Sequence, residues 1–115
     1  MKNTLNKLFL MVFLSSPHIT LANDYTIYGE GNRSCGEWTS ERASGNWHSK
    51  GQWMLGVISA VNYYYIYELE KTDSQAFAAW MDNYCEAHPL DEFSKGVFSL
   101  IDELARKRNR NSTSN

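Results

Sequence analysis

The sequence predicts a small all-α domain, a four-helix bundle held by one disulfide. Three observations predict it. Apolar residues recur at three- and four-residue steps in separate segments. Three segments open on a residue pair suited to a capping box: Ser34 with Glu37, Ser49 with Gln52, and Thr72 with Gln75. The 115-residue chain holds two cysteines, Cys35 and Cys85, both beyond an apolar leader.

Residues 1–22 have the three parts of a signal peptide. Lys2 and Lys7 give a positive start without an acid, and residues 8–14 are an unbroken apolar run. Ser15-Ser16-Pro17 breaks it, and Thr20 and Ala22 place small residues for cleavage after Ala22. The run is too short for a permanent span of about 20 residues, so an uncleaved anchor is the weaker alternative. No second apolar stretch is long enough to insert in a membrane. The expectation is a secreted protein, most simply in a bacterial periplasm.

Removing 22 of the 115 residues leaves 93, enough for one domain with a small core. The leader takes two of the 11 bases, leaving nine against 13 acids, a net charge of −4. Four of those nine are Arg106, Lys107, Arg108 and Arg110, so residues 23–105 carry −8. That balance argues against nucleic acid and anionic membrane surfaces. It suits a basic partner, or simply a solvated surface. In an oxidising compartment the two cysteines have one intramolecular pairing; free thiols or a bridge between chains are the alternatives.

Residues 23–33, with Gly29, Gly31 and Asn32, have no helical period and read as an extended lead-in. The helical domain is expected over 34–105. Its first helix starts near Ser34 and stops near Gly45. The second carries Trp53, Met54, Val57, Ile58, Val61, Tyr64 and Tyr65, and reads as the central helix. Gly56 and Ala60 suggest that another helix passes close there. The run 63–67 also has strand propensity, but the helical period continues through it. The third helix opens at Thr72, carries Phe77, Trp80, Met81 and Tyr84, and ends at Cys85 before Pro89. The fourth begins between Pro89 and Asp91, with Phe93, Val97, Leu100, Ile101 and Leu104 on its apolar side. Residues 106–115 read as a disordered basic and polar tail, and the sequon Asn111-Ser112-Thr113 within it as chance. On these bounds a Cys35–Cys85 bridge pins the first helix to the third across the second.

The search for chemistry finds no catalytic, cofactor or metal site. Cys85 and His88 have ligand-like spacing, but a structural zinc site needs four ligands. His48 beside Ser49 marks a helix start rather than a base and its nucleophile. Glu37 and Glu41, four apart, could do acid–base work but read as a solvated face. The expectation is therefore not an enzyme, with no cofactor. The aromatic residues remain. Tyr63, Tyr64, Tyr65 and Tyr67 surround their helix and cannot all face one core. Trp47, Trp53, Tyr63 and Tyr67 are the candidate interface residues, since tyrosine and tryptophan are enriched at interfaces. The competing reading is a small core using large side chains to gain buried area.

Three motifs occur in order: Cys35-Gly36-Glu37-Trp38; residues 53–62, Trp53 through Asn62; and Ala79-Trp80-Met81-Asp82-Asn83-Tyr84-Cys85, followed by Pro89-Leu90. With them the chain resembles the small secreted helical proteins grouped with Rap/Tai-type immunity proteins of type VI secretion systems, over residues 34–105. The resemblance implies a fold like the periplasmic acid chaperone HdeA, a four-helix orthogonal bundle with one disulfide. It also implies a periplasmic homodimer that binds and neutralises a secreted peptidoglycan hydrolase. The alternatives are an HdeA-like acid-stress chaperone and an envelope protein of unknown ligand.

Overall fold

The computed structural model describes residues 25–64 and 68–114. The leader, its cleavage position and Tyr67 lie outside the described residues. Four α-helices follow a short 3-10 turn over Gly29–Asn32: α1 Cys35–Ser44, α2 His48–Tyr64, α3 Ser74–Ala87 and α4 Phe93–Thr113. Among the described residues there is no strand, and one isolated β-bridge joins Ser34 to Glu92. The fold is all-α, with the Cys35–Cys85 disulfide in place and the two Cα atoms 4.7 Å apart.

Local chemistry accounts for most helix ends. The Ser34 hydroxyl accepts from the Glu37 amide at 3.2 Å, which satisfies one of the free donors of a first turn. The α3–α4 connection satisfies two more. Cys35 N donates to Asp91 O at 2.8 Å and Gly36 N to Pro89 O at 2.9 Å. Asp73, not Thr72, caps α3, its carboxylate accepting from Ala76 N at 2.8 Å. Three residues separate each pair, and the aspartate is the stronger acceptor. α2 starts at His48, so Ser49 lies inside the first turn, which Gly51 N closes onto Trp47 O at 2.9 Å. α4 starts at Phe93 behind Glu92, later than its acid-rich lead suggests, because Asp91 O is already committed to α1.

The packing order differs from expectation in two ways. α4, not α2, is central, for it packs against α1, α2 and α3 as well as the 3-10 turn. α1 packs directly on α3, so the disulfide fastens neighbours and does not reach across α2. The close helix approach is also elsewhere. Gly56 is exposed and a Cβ there would meet nothing. At Gly96 a Cβ would lie 2.6 Å from Met81 Cε and 2.9 Å from the Tyr84 ring, so this α4 glycine lets α3 come in.

The core is a single cluster of Cys35, Trp38, Met54, Ile58, Leu69, Phe77, Ala78, Met81, Cys85, Phe93, Val97, Leu100 and Leu104. Trp38 stacks on Phe93 with ring centres 5.0 Å apart. α4 runs on to Thr113, through residues expected to form a disordered tail. Ion pairs from Arg106 and Arg110 to Glu103, and from Arg108 to Glu68, hold the extension. The Ser112 and Thr113 hydroxyls bond back to the Arg108 and Asn109 carbonyls of the preceding turn.

The bridge closes a separation of 50 residues, which in the chain-entropy model is worth roughly 4 kcal/mol. Reduction, or the pair Cys35→Ala and Cys85→Ala, should lower unfolding stability by about that amount. Urea unfolding with and without reductant measures it. A loss under about 1 kcal/mol would mean that the bridge constrains little of the unfolded chain.

Candidate functional site

The most unusual polar group is Lys50. Its side chain is wholly buried, in the first turns of α2. The ammonium bonds to Glu41 Oε1 at 2.8 Å, Glu37 Oε1 at 3.2 Å and Glu30 Oε2 at 3.2 Å. Glu30 comes from the 3-10 turn, Glu37 and Glu41 from successive turns of α1. One cation thus joins the lead-in, α1 and α2. The three carboxylates have ligand atoms close enough together to hold a metal ion, but Lys50 Nζ already bonds to all three. Burial works against the lysine's charge and is the largest influence. The bonds to Glu41, Glu37 and Glu30 outweigh it, so the pKa is raised above the ordinary 10.5.

A second network lies on the α1–α3 seam. Trp38 Nε1 donates to Asp82 Oδ1 at 2.9 Å. Arg42 forms a two-pronged bond to the same carboxylate, at 2.9 and 2.8 Å. The guanidinium also lies over the Trp47 ring, 4.6 Å from its centre. Bidentate pairing fixes direction as well as charge, so Arg42 clamps α1 to α3 beside the disulfide. At the α3–α4 connection, Tyr84 donates to Asp91 at 2.8 Å and Lys95 to the same carboxylate at 3.0 Å. The Lys95 bond first, then the Tyr84 bond, hold the Asp91 pKa below the ordinary carboxylate value.

The candidate interface residues fall into different places. Trp47 is half-buried, edge-on to Trp38 and beneath Arg42. Trp53 is half-buried against Phe93, and its indole N–H donates to Tyr28 O at 2.8 Å. A Cβ at Gly31 would overlap the Trp53 ring, so that glycine gives the indole its seat. Both tryptophans thus fasten the structure from within. Tyr63 is 82% exposed, and Tyr64, 80% exposed, stands edge-on to it at 5.1 Å. Tyr28 is 80% exposed.

Clefts accompany these features. One of about 520 Å³ lies between the start of α3 and the end of α4. A second, of about 280 Å³, is bounded by Trp47, His48, Met54, Leu55 and Gln75. A third, of about 170 Å³, lies beneath the 68–72 connection against Ile58. The sequence reading missed the Lys50 cage, because it took Glu37 and Glu41 for a solvated face. The available signal was Lys50 itself, the one cation among the residues that open an otherwise uncharged helix. No family model, curated protein or solved structure matches the chain.

Lys50→Met should cost about 3 kcal/mol, the low end for a broken buried pair, because the carboxylates still meet water. Glu41→Gln should cost about 1 kcal/mol. A raised lysine pKa stabilises the fold fully below its unfolded value, and the gain is lost as pH climbs through the folded value. The gap between wild type and Lys50→Met should therefore hold at about pH 8 and shrink as pH climbs above the ordinary lysine value of 10.5. Urea midpoints on the two sides of that value measure it. A gap unchanged by pH would show that the ammonium is not what the variant loses.

Proposed function

We propose that this chain is a small secreted binding protein that neutralises a cell-wall hydrolase by covering its active cleft, as the resemblance to Rap/Tai-type immunity proteins implies. The observation that carries the binding reading is the pair Tyr63 and Tyr64, held out in water at the end of α2. Elsewhere the large aromatic side chains of this helix and of α1 are spent on packing. Two exposed rings at the end of a helix anchored by Lys50 and the core offer a large contact area at low entropic cost. The principal charged groups are committed to one another, Lys50 to its glutamates and Arg42 to Asp82. That arrangement suits a rigid scaffold better than a reaction centre, which needs groups free to exchange protons. The −8 charge of residues 23–105 would steer a basic partner. Among the described residues no helix is long and apolar enough to cross a membrane.

The purified oxidised protein, mixed in equal amount with each secreted peptidoglycan hydrolase encoded beside its gene, should abolish wall digestion by one of them. Tyr63→Ala with Tyr64→Ala should weaken that inhibition at least tenfold, about 1.4 kcal/mol. Inhibition of none of them would end this reading.

The Lys50 cage favours a second reading, the acid-stress chaperone. Acid would remove the cage's negative charges and leave a buried ammonium without its counter-charges. The fold would loosen and expose apolar surface. Light scattering of an aggregating client at a pH of about 2–3 tests it. Suppression by wild type at that pH and none at neutral pH is the expected result; no suppression at any pH removes it.

A further inference from the structure

The connection before α3 holds a polar atom that the fold leaves unsatisfied. Glu70 is partly buried, and its Oε2 is shut away from water with no hydrogen-bond partner among the described residues. A carboxylate oxygen so placed has lost its hydration and gained no donor in return. The backbone on either side of it is fixed. Leu69 is buried, and Leu69 N donates to Asn62 Oδ1 at 3.1 Å. Glu70 N donates to Leu104 O at 3.2 Å. These bonds tie the connection to α2 on one side and to α4 on the other.

Glu70 borders two clefts. On the α4 side Lys107 and Arg110 stand in the lining, which disfavours a further cation there. On the α2 side the lining holds one base, Lys71. Lys71 is exposed, and a lysine stem carries its ammonium out into water at little cost. The floor on this side is apolar, made by Ile58, Leu69 and Phe77, and the rim carries the oxygens of Ser59, Asn62 and Thr72. At about 170 Å³ the cleft is smaller than sites that enclose a whole cofactor or drug-sized ligand, which start at about 300 Å³. It has room for one long side chain. Tyr63 follows Ser59 by four residues on α2, so the two are neighbours on one helix face. The exposed Tyr63 thus adjoins the rim.

We infer that the cleft on the α2 side of Glu70 receives an arginine side chain of the protein partner. Its stem lies on Ile58 and Phe77, and its guanidinium bonds to the Glu70 carboxylate and the rim hydroxyls of Ser59 and Thr72. A turn about the last side-chain bond of Glu70 brings Oε2 to the incoming donor. The orphaned acceptor and the rim oxygens call for a group with several donors, and the −8 charge of residues 23–105 draws a basic partner. A guanidinium presents five donors in a planar fork and is weakly hydrated, whereas an ammonium is a strongly hydrated point charge. Arginine therefore suits an acceptor that is sealed from water. Like tyrosine, it is enriched among the residues that dominate interfaces. The inference rests on the binding reading and deepens it, for it names one anchor of the partner.

The test uses the oxidised mature protein, isotope-labelled for amide NMR, and two probes, acetyl-Gly-Arg-Gly-amide and acetyl-Gly-citrulline-Gly-amide, which differ in charge but hardly in shape. The arginine peptide should shift the amide signals of Ser59, Asn62, Leu69 and Glu70. It should saturate in the millimolar range, on the order of tenfold more tightly than the citrulline peptide. Glu70→Gln should remove that preference and leave both peptides equally weak. Glu86→Gln takes the same charge from an exposed position near the other end of α3 and should leave the preference intact. Ser59→Phe fills the rim from an exposed position and should block the arginine peptide by itself. The amide spectrum of each variant shows its fold before peptide is added. Equal binding of the two peptides by wild type, or no shift at the cleft, overturns the inference and leaves Glu70 Oε2 to water. Equal loss in Glu86→Gln also overturns it, since the charge of the body alone would then draw the peptide. A hydrolase inhibited equally by wild type and by Glu70→Gln overturns it while leaving the binding role standing. Arginine binding that Glu70→Gln abolishes, with no hydrolase inhibited, supports the inference and strikes the hydrolase reading alone.

Discussion

The bond set around Lys50 is the constraint on which much of the molecule depends. Its ammonium draws Glu30, Glu37 and Glu41 toward the start of α2. This orients α1 against α2 and folds the lead-in back over both. Burying a charge is costly unless it is paired on several sides, and here three carboxylates, each partly open to water, do the pairing. Such a cage adds less net stability than its short distances suggest. What it supplies is direction, since only one arrangement of lead-in, α1 and α2 gives all three bonds.

The second half of the domain is organised differently. There α4 is the spine, and α3 sinks onto it at Gly96. The disulfide, the Arg42–Asp82 clamp and the donors of Cys35 and Gly36 all attach α1 to the α3–α4 unit within a few residues. Each fastening alone is modest; together they act on one seam and share the entropy of ordering it. This concentration explains how a core of few large residues suffices for a short chain.

The helices were legible because their apolar periods are strong and their starts carry polar caps. The disulfide was legible because a chain with two cysteines has one intramolecular pairing. Errors came where a choice depends on parts distant in sequence. Thr72 and Asp73 both offer an oxygen to the first turn, and the local pattern does not choose between them. The length of α4 depends on Glu68 reaching Arg108 across 40 residues. Gly56 looked like a crossing point, whereas Gly96 is one, although Gly56 lies in the more apolar stretch, Met54-Leu55-Gly56-Val57-Ile58 against Ser94-Lys95-Gly96-Val97-Phe98. The Lys50 cage is a tertiary fact of the same kind: Glu37 and Glu41 face solvent in an isolated helix and turn inward only when α2 arrives. The two tryptophans offered as interface residues serve the interior for a similar reason, since Gly31 and Arg42 provide seats that no local pattern reveals.

Cys35 and Cys85 enclose most of α1, all of α2 and nearly all of α3. Any backbone cut between them, including one in the connection between α2 and α3, yields two pieces that remain one covalent molecule. A protease making one cut there would therefore nick the chain without releasing a fragment, and the nicked form would migrate intact until its sulfurs were reduced. Partial digestion of the oxidised protein thus leaves its mass nearly unchanged, and a nicked population would go unnoticed by size alone.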